Sequence, residues 1–425
     1  MHTEPMTTDA TTDSLWRNGP FLRMWTGQTA SSVGTQLGGL AIPVLAVSVL
    51  QATEFEVGLL SAVQTAAFLL IGLPAGAWVD RWLKRRVMLF ADLSRAVVLA
   101  CVPILFFAGI LSIWQLVVVG AIVGVASVFF DVAYQSYLPV LVEPAKLGEG
   151  NSKLETTGQL ARIAGPALSG ALLAVLRPAV LVGIDALTFL FSFVALSTIR
   201  DREVAKPVAE RKKLVTEIAE GMSFVVNEPL LRRIVLTTST TNLFGVLAMT
   251  MIPILVLRQL DISPVIYGIG ISLGAIGGLL GAMFSARIAR LIGEGTAIPV
   301  AGVVSGIAIG GMALMAVFPD AAIPLFVVSE FLYSFAVLVY NIAQVTFRQR
   351  ICPPQLLGRM NASIRFVVWG VLPIGGLASG LLSTAIGIES TIIIGAGGSI
   401  LACAFVVFSP LLGMRELPQQ ATTRT

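Results

Sequence analysis

Long apolar runs, separated by short polar or glycine- and proline-bearing turns, recur along almost the whole chain. Each run is about 20 residues or longer and nearly free of charge, the length a helix needs to cross a bilayer. Membrane strands would instead show segments of about 10 residues with alternating polarity. The pattern predicts six spans at 21–50, 55–79, 87–110, 113–138, 152–176 and 179–198. Six more follow at 231–258, 264–290, 297–318, 322–346, 359–384 and 389–412. The fold class expected is therefore an all-α polytopic membrane protein of twelve transmembrane helices. Between the two sets lies the longest polar segment, 199–230. Its stretch ERKKLVTEIAEGMSFVV places Leu214, Ile218 and Met222 on one helical face, which predicts an amphipathic helix lying on the membrane surface.

Composition supports this reading: 56% of the residues are hydrophobic and 12% charged, about half the charged share of an average soluble domain. The start, MHTEPMTTDATTDSLWRNGP, lacks a basic segment followed by a short apolar core, so 1–20 is expected to be a cytoplasmic tail and not a cleaved leader. A second tail is expected at 413–425. Cys101, Cys352 and Cys403 lie too far apart to suggest a disulfide framework or a metal site. The single histidine, His2, excludes histidine-based catalysis or metal binding. GAIGGLLGA in the eighth span lacks the lysine and preceding strand of a phosphate loop, which disfavours an ATP-driven pump. No enzyme activity, cofactor or metal is expected.

The net charge of +4 matters less than its distribution. Connections on one side carry Arg81, Lys84, Arg85, Arg86, Lys146, the basic segment from Arg200 to Arg233, Arg287, Arg290, Arg348, Arg350 and Arg359. The other side carries only Arg177 and Arg258, among Glu54, Glu56, Asp261, Asp320 and Glu389. By the positive-inside bias both termini are expected in the cytoplasm.

Sliding the chain on itself by 210 positions aligns the two halves. Leu147, Gly148 and Asn151 meet Leu357, Gly358 and Asn361. Ser169 and Gly170 meet Ser379 and Gly380, Ile42-Pro43 meets Ile252-Pro253, Gly58 meets Gly268, and Asp131 meets Asn341. Two repeats of six spans have parallel topology, the arrangement in which two bundles (21–198 and 231–412) rock about a central site.

On these residues the chain resembles the major facilitator superfamily, and within it the drug- and siderophore-exporter branch. The turn Gly76-Ala-Trp-Val-Asp80-Arg81-Trp-Leu-Lys84-Arg85 is similar to the signature between spans 2 and 3, with Leu83 in place of a second glycine. Gly165-Pro166 in span 5 resembles the antiporter motif, with Ala161 and Ser169 where glycines are usual. The resemblance implies a monomer in a bacterial cell membrane, with spans 1, 4, 7 and 10 lining a cavity. It also implies that Gly76, Asp80, Arg81, Lys84 and Arg85 form a latch against the start of span 11, with Arg81 and Lys84 reaching Asp131.

Ionisable groups at membrane depth are costly and are candidates for function. Asp131 is read either as a structural or gating group, paired with Arg162 or with a basic residue of the 76–86 turn, or as a coupling group. Glu330, eight residues into span 10, is read as a proton carrier or as an acid bonded to neighbouring hydroxyls. Asp185, in a span the resemblance makes peripheral, is read as a helix-pairing acid or a third proton carrier. Asp92 and Arg95 are placed at the opening of span 3, near the inner surface. Thr35 stands where relatives of this branch often carry an acid. Gly165 and Pro166 serve tight packing or a hinge.

Gln28, Gln36, Gln64, Arg162, Asn242, Glu330, Tyr333, Asn341 and Trp369 are candidates for the cavity wall. The function expected is proton-coupled export of amphipathic or hydrophobic small molecules. Export of a specific metabolite or siderophore, and non-transporting membrane binding, remain as alternatives. The partners expected are a small-molecule substrate, protons and the lipid bilayer, with no nucleic acid.

Overall fold

The computed structural model describes residues 15–79, 81–143, 146–200, 203, 214–353 and 356–415. Spans 1 to 6 are Gly19–Val44, Glu54–Val79, Lys84–Phe107, Ile113–Leu141, Leu147–Leu173 and Pro178–Ser197. Spans 7 to 10 are Pro229–Met249, Pro264–Ile292, Glu294–Val317 and Ala322–Ile351. Span 11 is built of Leu357–Gly370 and Leu372–Ile386, and span 12 is Ile388–Ala402. No strand occurs among the described residues. Eleven spans are long and apolar enough to cross a membrane. Span 5 has the length but carries Glu149, Lys153, Glu155 and Arg162. Spans 3 and 5 start three and five residues earlier than hydropathy predicts. Their first turns are charged but still helical, and hydropathy marks the membrane, not the helix end.

The repeat is written into the backbone. Each half has a π-helical turn at the end of its first span, Leu45–Val49 and Leu255–Gln259. Each turn is followed by a left-handed residue, Gln51 at φ 53° and Asp261 at φ 50°. Ser169 Oγ donates to the Leu37 carbonyl at 3.1 Å, and Ser379 Oγ donates to that of Leu247 at 2.6 Å. Within the first half spans 1–6, 3–6, 2–4, 3–4 and 1–5 pack together; spans 7–12, 9–12, 8–10, 9–10 and 7–11 do so in the second.

The halves meet along spans 2 and 11 and spans 5 and 8. Small residues allow the approach. A Cβ on Gly58 would lie 2.6 Å from the Gly380 Cα, and one on Gly268 would lie 3.1 Å from the Gly170 Cα while overlapping the Pro166 carbonyl. The proline in span 5 disturbs the ladder of that helix, and the next amide, Ala167 N–H, donates to Ser272 Oγ of span 8 at 2.7 Å. Ser61 and Thr250 share a hydrogen bond of 3.3 Å. Arg258 donates to the carbonyls of Val47 and Ala52, both at 2.8 Å, across the boundary.

All these contacts lie toward the end of the molecule away from the termini. One apolar core unites both halves there, from Leu40, Val44 and Leu181 to Met251, Leu255 and Met312. Toward the termini the core divides in two. One part holds Phe21, Met88, Tyr137 and Leu196; the other holds Leu231, Ile298, Phe347 and Leu411.

The connecting segment forms a helix, Leu214–Asn227. Gly221, Phe224 and Val225 pack on the second half, Gly221 against the Arg359 backbone, and Glu220 pairs with Arg359 at the start of span 11. The side chains of Leu214 and Ile218 of the expected face are not among those described.

Gly58→Val places a side chain where the Gly380 backbone stands. The expected result is several-fold faster labelling of a Ser61→Cys probe by a membrane-impermeant maleimide, with insertion unchanged.

Candidate functional site

A cavity of about 1020 Å³ runs along the first half of the molecule. Spans 1, 4, 5 and 6 contribute Gln28, Thr35, Gln36, Asp131, Arg162 and Asp185 to its wall, and span 11 contributes Arg365 and Trp369. It extends toward the termini as far as Asn151 and Glu155. A second cavity, about 280 Å³, lies in the other half and is lined by Thr241, Asn242, Tyr333 and Asn341. A third, about 200 Å³, is bounded by Phe68, Asp131, Gln135, Arg365 and Trp369. The Trp369 ring meets Phe68 edge-on at 4.9 Å, and the Arg365 guanidinium lies 4.6 Å from its centroid. Trp369 thus forms part of the wall of both the first and third cavities.

Arg95 organises the charges of the first half. Its Nη2 lies 2.5 Å from Asp92 Oδ1, and Ser192 Oγ donates to Asp92 Oδ2 at 2.7 Å. The guanidinium is sandwiched between the Phe130 and Phe189 rings, 4.4 and 4.2 Å from their centroids. Asp92 is fully buried and Arg95 6% exposed, so this pair lies inside the bundle. Asp131 and Asp185 also lie within the electrostatic range of Arg95. Arg95 and Arg365 lie within the electrostatic range of Asp131, and Arg162 lines the same cavity. A hydrophobic run hides such a grouping, because Arg95, Asp131 and Arg365 sit on spans 3, 4 and 11.

Asp185 is also placed differently from expectation. It is buried on the cavity wall, not on the periphery. Span 1 makes room for it: a Cβ on Gly34 would lie 2.7 Å from its Oδ1, and one on Gly38 would overlap its Oδ2. Oδ1 is buried without a hydrogen-bond partner among the described residues.

Gln28, Gln36, Arg162 and Trp369 line the first cavity and Asn242, Tyr333 and Asn341 the second. Two candidates do not join them. Gln64 packs on span 4, its Cγ 3.1 Å from where a Gly120 Cβ would stand. Glu330 is half-buried, with its stem against Gly274 of span 8, and is absent from the walls of all three cavities. Gly165 faces Gln36, whose Cγ would lie 2.7 Å from a Cβ there, so close packing of spans 1 and 5 explains that glycine.

Asp80 lies outside the described residues. Its basic neighbours do not reach Asp131. Lys84 Nζ lies 3.2 Å from Glu203 Oε1, and the same carboxylate accepts from the Lys84 and Arg85 amides at 2.9 and 3.3 Å, capping span 3. Arg85 donates to the carbonyls of Leu196 and Ser197 at the end of span 6. Sequence reading missed Arg95 as a central group and Arg365 altogether; a lone arginine inside the apolar run 359–384 was the available mark. No cluster of metal-binding side chains occurs among the described residues.

Residues 10–424 match a major facilitator family model described as transmembrane secretion effector. The chain belongs to this family. The transporter is 26% identical to the multidrug efflux pump Tap of Mycolicibacterium fortuitum, over 94% of this chain and 98% of that one. It is 21% identical to macrolide efflux protein A of Streptococcus pyogenes, over 93% and 97%. Among solved structures, a bacterial homologue of the iron transporter ferroportin in an inward-facing state superposes with a TM-score of 0.75 at 17% identity, over 93% and 98% of the two chains. The nucleoside transporter NupG gives 0.75 at 16%, over 92% and 100%. These two likenesses speak for the fold.

The two walls of the transporter are unlike in chemistry. The first cavity presents carboxylates and guanidinium groups, Arg365 of span 11 among them; the second presents hydroxyls and amides. Such a space suits a molecule with one polar or charged end and a large apolar body. Arg95→Ala leaves Asp92 buried without its cation, which costs about 3–5 kcal/mol. The expected result is a clear drop in the melting temperature of the purified protein, with a smaller drop for Asp92→Asn.

Proposed function

We propose that the transporter exports amphipathic or hydrophobic small molecules in exchange for protons, and that the structure corresponds to its inward-open state. In this reading the end bearing the termini faces the cytoplasm of a bacterial cell, and the protein acts as a monomer without catalysing a reaction. The observation that carries the proposal is the division of the core. One packed core joins the halves at the far end, while two separate cores flank the approach from the termini. A space of about 1020 Å³ lies within reach of that approach. Alternating access requires the opposite arrangement in the other state. The efflux functions named for the Tap and macrolide relatives support export and a substrate of this class.

Proton exchange calls for a carboxyl group that is desolvated, open to the cavity and not permanently bonded to a cation. Asp92 fails the last condition. Asp185 and Asp131 meet all three, and the unpartnered oxygen of Asp185 makes it the stronger candidate. Glu330, away from these cavity walls, becomes the weaker one. Burial favours the neutral form of such a group and a nearby cation favours the charged form. Rocking of the bundles changes both, so binding and release of the proton can follow the conformational cycle.

Proteoliposomes with an imposed pH gradient test the proposal, using a cationic amphipathic dye. The expected result is gradient-driven accumulation that a protonophore abolishes. Asp185→Asn is expected to reduce it about tenfold or more while dye binding persists. Accumulation independent of the gradient would contradict proton antiport.

A further inference from the structure

The four basic residues after span 2 divide into two pairs. Lys84 and Arg85 turn inward to Glu203 and to the end of span 6. Arg81 and Arg86 are exposed, and no ion pair or hydrogen bond of either side chain occurs among the described residues. They stand at the mouth of a cleft of about 710 Å³ between spans 3 and 4, on the outside of the first bundle. Below them Phe90, Ile122 and Val125 line it and are 76%, 39% and 41% exposed. These side chains belong to membrane spans, so the cleft opens onto lipid. From Arg86 to Ser94 it descends about 12 Å at the helical rise of 1.5 Å per residue. An aromatic wall closes its upper part: the Phe129 ring lies 6.1 Å from both Trp78 and Trp82. Among the described residues the lining contains two cations and no carboxylate.

We propose that this cleft binds an anionic phospholipid. The two guanidinium groups fork the phosphate, Trp82 sits at the level of the glycerol backbone, and an acyl chain lies along Phe90, Ile122 and Val125. Guanidinium suits phosphate in geometry and charge, and basic pockets at helix ends recognise anionic headgroups. A free phosphate would leave the apolar cleft unused. The ammonium group of a zwitterionic lipid would meet two exposed cations. The repeat supplies an internal control: Leu291 and Thr296 occupy the positions equivalent to Arg81 and Arg86. The site therefore belongs to the first half alone, and it stands whether or not protons drive transport.

Native mass spectrometry of the full-length protein, released from micelles holding equal amounts of phosphatidylglycerol and phosphatidylcholine, tests the assignment. The wild type is expected to retain phosphatidylglycerol preferentially. Each of Arg81→Gln and Arg86→Gln is expected to cut that preference about fivefold. Val125→Trp fills the cleft and is expected to reduce retention with both arginines present. Lys84→Gln, whose partner is Glu203, is expected to leave it unchanged. Helical content and melting temperature confirm that each variant is folded. Equal retention of the two lipids by the wild type would overturn the proposal. So would a preference that survives in the folded double-arginine variant, or displacement of the lipid by millimolar inorganic phosphate.

Discussion

Two pairs of glycines, Gly58 with Gly380 and Gly170 with Gly268, bring the two halves into backbone contact at one end of the molecule. Lipid offers no hydrophobic drive for helices to associate, so close packing and hydrogen bonds must hold them. Here the glycines give the proximity. The Ala167 amide and the Arg258 guanidinium add bonds that only that proximity permits. Because the 210-residue repeat carries each pair onto the other, the seam is balanced about a pseudo-twofold axis. The glycine contacts are confined to one end, and the large cavity lies toward the other.

The symmetry is mechanical and not chemical. Both halves share the π turns, the serine-to-carbonyl bonds and the order of helix contacts. Yet Asp131 corresponds to Asn341 across the repeat, and Arg258, which crosses the seam, corresponds to Ser48. Charge is gathered around Arg95 of the first half, joined on the same cavity wall by Arg365 of span 11, while the second cavity offers neutral hydroxyl and amide groups. The buried Arg95–Asp92–Ser192 cluster is a fixed part of this arrangement, with both oxygens of Asp92 engaged. Asp185, held in the space left by Gly34 and Gly38, is the part with an oxygen still unpaired.

Much of this was legible from the chain. The apolar runs specified the twelve spans, and one constant offset specified the repeat and the facing glycines. Gln28, Gln36, Asn242, Tyr333, Asn341 and Trp369 were legible as wall residues because an amide or aromatic group in a lipid-depth helix has few other places to go. The charge partnerships were not legible. Asp131, Arg95 and Arg365 come to share one cavity wall only after three helices pack, and hydropathy carries no information about helix rotation. The same blindness placed Glu330 on the cavity wall and Asp185 on the periphery. Spacing along one helix also exposed Asp92 and Arg95 as neighbours but not their depth. The basic turn was read as a unit, whereas the fold sends half of it inward to Glu203 and half outward.

The central claim is that the two ends open in alternation about the glycine seam. Electron–electron distance measurements on two spin-label pairs across spans 5 and 8 test it most directly: one pair near residues 151 and 288, the other near 173 and 264. Without a gradient, the account requires a long distance at the first pair and a short one at the second. Substrate with a proton gradient should shift the two populations in opposite senses. Distances that lengthen or shorten together at both ends would contradict it.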